Sequence, residues 1–172
     1  CIDKTLYLAE VIPGGTNRVQ KILRSVGGKG INVAASAKNL GLEVRCLYFS
    51  HEEGGSAVAA FLQEKGIEGR SVSVCGRLRE NVKIFEQNSR QLTEFNENGD
   101  PLTEAGAKKM LELATEALKD SDIFVLSGSI PPGIPAELYA EIIAQANFNG
   151  VRTILDTDGE ASLLEIEIFT GR

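Results

Sequence analysis

Ile123-Phe124-Val125-Leu126 runs straight into Ser127-Gly128-Ser129-Ile130-Pro131-Pro132-Gly133, and this stretch decides the fold. A continuous apolar run of strand length, placed between two helical patterns, reads as a strand buried on both faces of a parallel sheet. Upstream, Thr103 opens an amphipathic helix in which Ala107, Met110, Leu111, Ala114, Ala117 and Leu118 recur at helical spacing. Downstream, Pro135 suits the first turn of a helix predicted over Ala136 to Ala146. Val151 to Leu155 is then a further buried strand, ending at Asp156-Thr157-Asp158-Gly159. Toward the amino end the same rhythm continues. A helix is predicted from Asn32 to Leu40 with Gly41 as its stop, a strand over Val44 to Phe49, and a helix over Ser56 to Lys65 ending at Gly66. Strands alternating with helices imply βαβ units around a parallel sheet.

Two blocks break that rhythm. Thr5 to Ser25 carries β-leaning apolar residues around a turn at Pro13-Gly14-Gly15. Arg70 to Glu97 alternates, through Val72/Val74, Val82/Ile84, Leu92 and Phe95, with Asn88-Ser89 as a hairpin turn. These blocks predict a small antiparallel β lid, formed by segments near 5–28 and 70–97, beside an α/β parallel-sheet core. Ligands of open α/β sheets bind at the carboxyl ends of the strands. Ser127–Gly133 and Asp156–Gly159 both leave strands at that edge.

Composition narrows the chemistry. A net charge of −6 argues against nucleic acid, whose phosphates call for clustered Lys and Arg, but leaves room for a small anion met by a few local cations. No apolar run approaches the ~20 residues that span a bilayer. Cys1, Cys46 and Cys75 are odd in number and widely spaced, which reads as free thiols in a reducing cytoplasm. The absence of an initiator Met and the half-patterned tail Glu165-Ile166-Glu167-Ile168-Phe169 lead us to expect an incomplete single domain over residues 1–172.

Gly27-Gly28-Lys29-Gly30 precedes a helix, where backbone N–H groups and the helix dipole favour an anion. A flexible turn is the plainer alternative. Because Gly30 follows Lys29 in place of Ser or Thr, and Leu23 stands where a P-loop has its first Gly, the stretch is not a P-loop. Arg79, Asn81 and Lys83 fall at alternate positions of an expected strand and share one face, either for phosphate and sugar hydroxyls or simply for solvent. Asp3 is a carboxylate able to accept two vicinal hydroxyls. His51, the only histidine, is expected on a surface loop, which excludes His-based triads. Ser129 fails the nucleophile-elbow pattern and reads as a hydroxyl donor to ligand. Asp156 and Asp158 on one turn are insufficient for a metal site.

Ile2-Asp3-Lys4-Thr5, Asn17-Arg18-Val19 and Gly27-Gly28-Lys29-Gly30-Ile31-Asn32-Val33-Ala34 together resemble the opening of a ribokinase-like, PfkB-type sugar kinase. Asn81-Val82-Lys83-Ile84, Thr93-Glu94-Phe95-Asn96-Glu97, Leu126 to Gly133 and Ile154-Leu155-Asp156-Thr157 follow in the family's order, worded most like its 1-phosphofructokinase branch. The resemblance reaches to Ala161. It implies a ribokinase-like core with a β lid that also serves as a homodimer contact. It implies transfer of the ATP γ-phosphate, with Mg²⁺, to the C6 hydroxyl of fructose 1-phosphate, with tagatose 6-phosphate and fructose 6-phosphate as neighbouring choices. Asp3 would then hold sugar hydroxyls, and Gly28, Lys29, Asn32 and Asn81 would line the sugar-phosphate pocket. Arg79 and Lys83 would meet the phosphate, and Ser129 the sugar. The family's Gly-Ala-Gly-Asp loop, which carries the catalytic base and anion hole, has no counterpart here. No catalytic or metal residue is therefore assigned, and the chain is expected to supply the sugar-binding part and to be inactive alone. A non-catalytic sugar-phosphate binder or lid-dimerising protein is the alternative. At the second helix, Ser50-His51-Glu52-Glu53 stands where the family has a Gly-Gly turn.

Overall fold

The computed structural model describes residues 1–157. Eight strands and four helices follow in the order β1 (Ile2–Leu8), β2 (Lys21–Val26), α1 (Lys29–Asn39), β3 (Arg45–Glu53), α2 (Gly55–Glu64) and β4 (Glu68–Arg77). They continue with β5 (Glu80–Glu86), β6 (Gln91–Phe95), α3 (Glu104–Ala117), β7 (Ile123–Ser127), α4 (Glu137–Phe148) and β8 (Arg152–Asp156). A 3-10 turn, Leu118–Asp120, extends α3.

The core is parallel. β3 pairs with β4 and β7 with β8, each in parallel register, as crossover connections through α2 and α4 require. Alternation along β3 feeds two apolar layers. Leu47 and Phe49 pack on the cluster of Val72, Met110, Ala114, Leu126, Leu138 and Ile143, which α3 and α4 cover. Cys46 and Tyr48 face the opposite layer, where Ile31 and Ala34 of α1 meet Val58 and Leu62 of α2. The expected amphipathic helix at Thr103 is present, and the Thr103 hydroxyl accepts a hydrogen bond from the Gly106 N–H at 3.3 Å, an N-cap of the ordinary kind.

The lid is a four-stranded sheet in the order β2-β1-β5-β6. β1–β2 and β5–β6 are antiparallel hairpins, but the seam that joins them, β1 on β5, is parallel, pairing Ile2 with Glu80 through to Leu8 with Glu86. The lid is therefore mixed, and the 70–97 stretch divides: β4 belongs to the core beside β3, and only β5 and β6 enter the lid. Alternation of Val72 and Val74 resembles that of a lid strand because β4 lies at a sheet border, where its Ser71 and Ser73 side chains meet solvent. Other boundaries differ modestly. α1 begins at Lys29, with Gly28 as its N-cap, so Lys29 and Gly30 lie inside the first helical turn. β3 runs on to Glu53 and carries His51 opposite Val74, so His51 is a half-buried strand residue and not a loop residue. The turn into α2 comes from Gly54, at φ 85°, and Gly55, against which Ser50 packs closely enough that a Cβ would meet its Oγ at 2.6 Å. Asp158 and Gly159 lie outside the described residues.

The three cysteines are free, with Cys46 buried and Cys75 exposed. Burial pushes the Cys46 thiol up to about 11, so almost none of it is thiolate at pH 8. A thiol-reactive dye at that pH is expected to label Cys75 in the native protein and to reach Cys46 only after denaturation. Equal labelling rates for the two would contradict this packing.

Candidate functional site

Two sequence-distant strands bring the polar residues of the lid together. Because β1 lies parallel on β5, Asp3 stands beside Asn81, and both side chains leave the same face of the sheet. The Asn81 amide donates from Nδ2 to Asp3 Oδ1 at 3.0 Å, and the Lys83 ammonium reaches Asp3 Oδ2 at 3.2 Å. Both carboxylate oxygens are thus fixed, one by a neutral donor and one by a cation. Asn81 is the buried polar residue of the described chain, 6% exposed, and its Oδ1 has no hydrogen-bond partner among the described residues. A buried acceptor left without a donor is costly in a finished core and natural at a site that receives a hydroxyl.

Above this pair sits the glycine run. Gly27 is buried, and a Cβ there would lie 2.5 Å from Asp3 Oδ2, so only glycine lets the chain pass over the carboxylate. Gly28 turns at φ 124°, a backbone state that L side chains rarely adopt, and gives its carbonyl to the Asn32 N–H at 3.0 Å. Gly30 then approaches the strand end of β7, where a Cβ would stand 3.3 Å from the Ser127 carbonyl oxygen. One short segment touches the lid at one end and, at the other, the carboxyl end of β7 in the two-stranded β7-β8 sheet of the core.

That edge is itself knitted. Lys29 Nζ lies 3.6 Å from Asp156 Oδ1, and the Ser127 hydroxyl donates to Asp156 Oδ2 at 3.3 Å. The Gly128 carbonyl accepts from Thr157 at 3.0 Å and from Tyr139 at 3.2 Å. Ser129 is exposed on the loop that leaves β7, and Asn32 is exposed in the first turns of α1. Arg79 lies just before β5, not on it; its guanidinium donates to the Glu97 carbonyl at 3.2 Å, and its stem packs over Gly99. Asp3, Asn81 and Lys83 therefore form one contacting group on the lid. Gly28, Lys29 and Asn32 occupy the adjoining helix start, Ser129 the loop after β7, and Arg79 the neck of the lid.

Lys83 has a second partner that the sequence reading left unassigned. Glu94 lies directly across from it on β6, and its Oε1 is 3.2 Å from the same Nζ. Burial pulls the ammonium down, but the bonds to Asp3 and Glu94 outweigh it and hold Lys83 above the usual lysine value. The signal was in the sequence: a hairpin turn at Asn88-Ser89 places Lys83 opposite Glu94. Among the described residues no group of three or more His, Cys, Asp or Glu converges to hold a metal ion. No step through Mg²⁺ is derived from them.

An α/β crossover core under a β lid, with a glycine-lined polar site where they meet, defines a carbohydrate-kinase architecture. The chain belongs to the pfkB family of carbohydrate kinases, which residues 1–167 match. It is 34% identical over 158 residues to a 1-phosphofructokinase of Xanthomonas campestris pv. campestris, covering 92% of this chain and 50% of the relative. To a 1-phosphofructokinase of Bacillus subtilis it is 32% identical, over 97% of this chain and 54% of the relative. The chain spans about half the length of the curated relatives it matches. Phosphofructokinase-2 from Escherichia coli, solved in complex with substrates and products, superposes with a TM-score of 0.86 at 27% identity, covering 94% of this chain and 52% of that one. A possible 1-phosphofructokinase from Thermotoga maritima does so with the same TM-score and identity, over 95% of this chain and 52% of that one. The parallel-sheet core and lid expected from the sequence are those of this fold.

The contact between Gly27 and Asp3 is directly testable. Gly27→Ala is expected to push the Asp3 carboxylate off Lys83, so that the Lys83 ammonium titrates at a lower pH. Side-chain NMR titration of the lysines reads this, and an unchanged Lys83 would show that the methyl is accommodated without disturbing the pair.

Proposed function

We propose that the intact protein phosphorylates fructose 1-phosphate at its C6 hydroxyl, giving fructose 1,6-bisphosphate, with this chain supplying the sugar-binding part. The observation that carries the reading is the fixed Asp3 carboxylate beside the partnerless Asn81 Oδ1, in a chain whose relatives at 32–34% identity are 1-phosphofructokinases. ATP with Mg²⁺ would supply the phosphoryl group. Phosphoryl transfer gains its rate from positioning and charge stabilisation, with little covalent work for the protein. Asp3 accepts two sugar hydroxyls and Asn81 Oδ1 a third. Lys29, at the start of α1, and Arg79, at the neck of the lid, face the sugar phosphate, and the backbone of Gly28 allows close approach. Asn32 and Ser129 close the polar lining. No residue of this chain is assigned as the general base.

The reading predicts ATP-dependent turnover of fructose 1-phosphate by the intact protein in a coupled assay, above that of fructose 6-phosphate and tagatose 6-phosphate. Asp3→Ala removes charge-assisted hydrogen bonds of about 1.5–3 kcal/mol each, so with two such bonds kcat/KM is expected to fall by roughly 100-fold or more. Turnover unaffected by Asp3→Ala would remove the sugar site from the lid. Binding of fructose 1-phosphate without turnover would favour the non-catalytic binder.

The lid also leaves Ile22, Leu23, Leu92 and Phe95 between 43% and 58% exposed, a large apolar share for a four-stranded sheet. We propose that a second copy of the protein covers part of it, and that the enzyme works in the cytoplasm, where free thiols persist. Sedimentation of the intact protein is expected to give a dimer that Phe95→Asp dissociates; a dimer insensitive to that change would place the interface elsewhere.

A further inference from the structure

Lys83 is the only lysine on the site face of β5, and the sequence alone would give it to the phosphate. Its surroundings argue otherwise. The ammonium stands 3.2 Å from Asp3 Oδ2 and 3.2 Å from Glu94 Oε1, between two carboxylates on the strands that flank β5. A lysine sandwiched in this way presents a locally negative group, and an incoming phosphate would have to displace one of the two acids to use it. Its contact with Asp3 instead decides how that carboxylate is turned. With Oδ2 tied to Lys83 and Oδ1 accepting from both the Asn81 amide and, at 3.6 Å, the Cys1 thiol, Asp3 is held in one rotamer, and Oδ2 keeps a lone pair for a hydroxyl. Glu94 is exposed, in register with Lys83, and its carboxylate lies against the Lys83 ammonium.

We infer that Glu94 is a positioning residue that anchors Lys83 as a brace for Asp3, making Lys83 a hydroxyl-side residue of the sugar site and not a ligand of the phosphate. This rests on the proposed sugar-phosphate site and refines the assignment of one cation within it. Lys83 stays on Asp3 because an ammonium with three donors can serve both carboxylates at once. Removing the charge of Glu94 takes away one of the two anchors and lets the long side chain sample other rotamers, at the cost of the fixed carboxylate rather than of the fold.

The test uses the intact protein with Glu94→Gln and Glu94→Asp, and two probes, fructose 1-phosphate and inorganic phosphate. Glu94→Gln is expected to weaken fructose 1-phosphate by about 5- to 10-fold, seen in KM with kcat changed less than twofold, and to leave inorganic phosphate affinity unchanged. Glu94→Asp is expected to restore most of the loss. In parallel, Glu94→Gln should move the Lys83 ammonium to a lower titration pH, because a carboxylate that favours its charged form is gone. Tighter binding of inorganic phosphate in Glu94→Gln would overturn the inference, since a released Lys83 would then be a phosphate ligand. So would fructose 1-phosphate binding identical to the unsubstituted protein. If the unsubstituted protein binds neither probe, the sugar site itself is lost, and this role of Glu94 with it; that result is distinct from a loss confined to the variant.

Discussion

Gly27 to Gly30 must pass between a carboxylate and a carbonyl, and the rest of the site depends on that passage. At one end a Cβ would collide with Asp3; at the other it would crowd the Ser127 carbonyl oxygen. Between them Gly28 takes a positive φ and starts α1. Absence of side chains is therefore a joint requirement of three elements: the lid strand that carries Asp3, the helix that carries Asn32, and the strand end that carries Ser127. It sets how closely the lid strand and the core approach each other there.

Charge is arranged under the same constraint. The chain is acidic overall, at −6, and the two lysines of the site are each set against carboxylates, Lys83 against Asp3 and Glu94, Lys29 against Asp156. The pairs are unequal. Lys83 is more enclosed and is held by two acids at 3.2 Å, whereas Lys29 is more exposed and lies 3.6 Å from Asp156, which is itself exposed. In high dielectric such a loose pair contributes little, so Lys29 can exchange its carboxylate for a better anion at small cost. The unequal geometry of the two pairs is what supports separating a proposed bracing cation from an exchangeable one.

Local pattern made most of the fold legible. Apolar runs at Ile123 to Leu126 and Val151 to Leu155, the heptad-like spacing after Thr103 and the stop at Gly41 are each written within a dozen residues, although β7 and β8 are not buried on both faces as expected: Ile123, Val125 and Ile154 are 45%, 38% and 54% exposed. What local pattern could not reach was pairing across long sequence separation. β1 lies parallel on β5, almost eighty positions away in register, and nothing within either strand announces that partner. The same blindness put β4 with the lid, because a border strand of the core and a lid strand both alternate when one face meets solvent. Asp3 and Asn81 were legible as polar residues of a suitable type; that they touch was not. Glu94 reads in the sequence only as part of the Thr93–Glu97 stretch, although a hairpin drawn about Asn88-Ser89 sets it opposite Lys83.

The placement of the site within the lid follows from how the lid is tied down. The chain crosses from lid to core after Val26 and again after Phe95, and from core to lid at Leu78 and Arg79, and all three crossings lie toward the same end of β1. There Ile2 is paired with Val26 on one side and Glu80 on the other, and its N–H donates to the Arg79 carbonyl at 2.9 Å. Asp3 and Asn81 stand one residue beyond that row, about 3.3 Å from it. A swing of the sheet about its neck displaces residues in proportion to their distance from it, so Asp3 and Asn81 move least and the Tyr7–Phe85 end moves most. The groups proposed to hold a sugar hydroxyl thus lie where such a swing would displace them least.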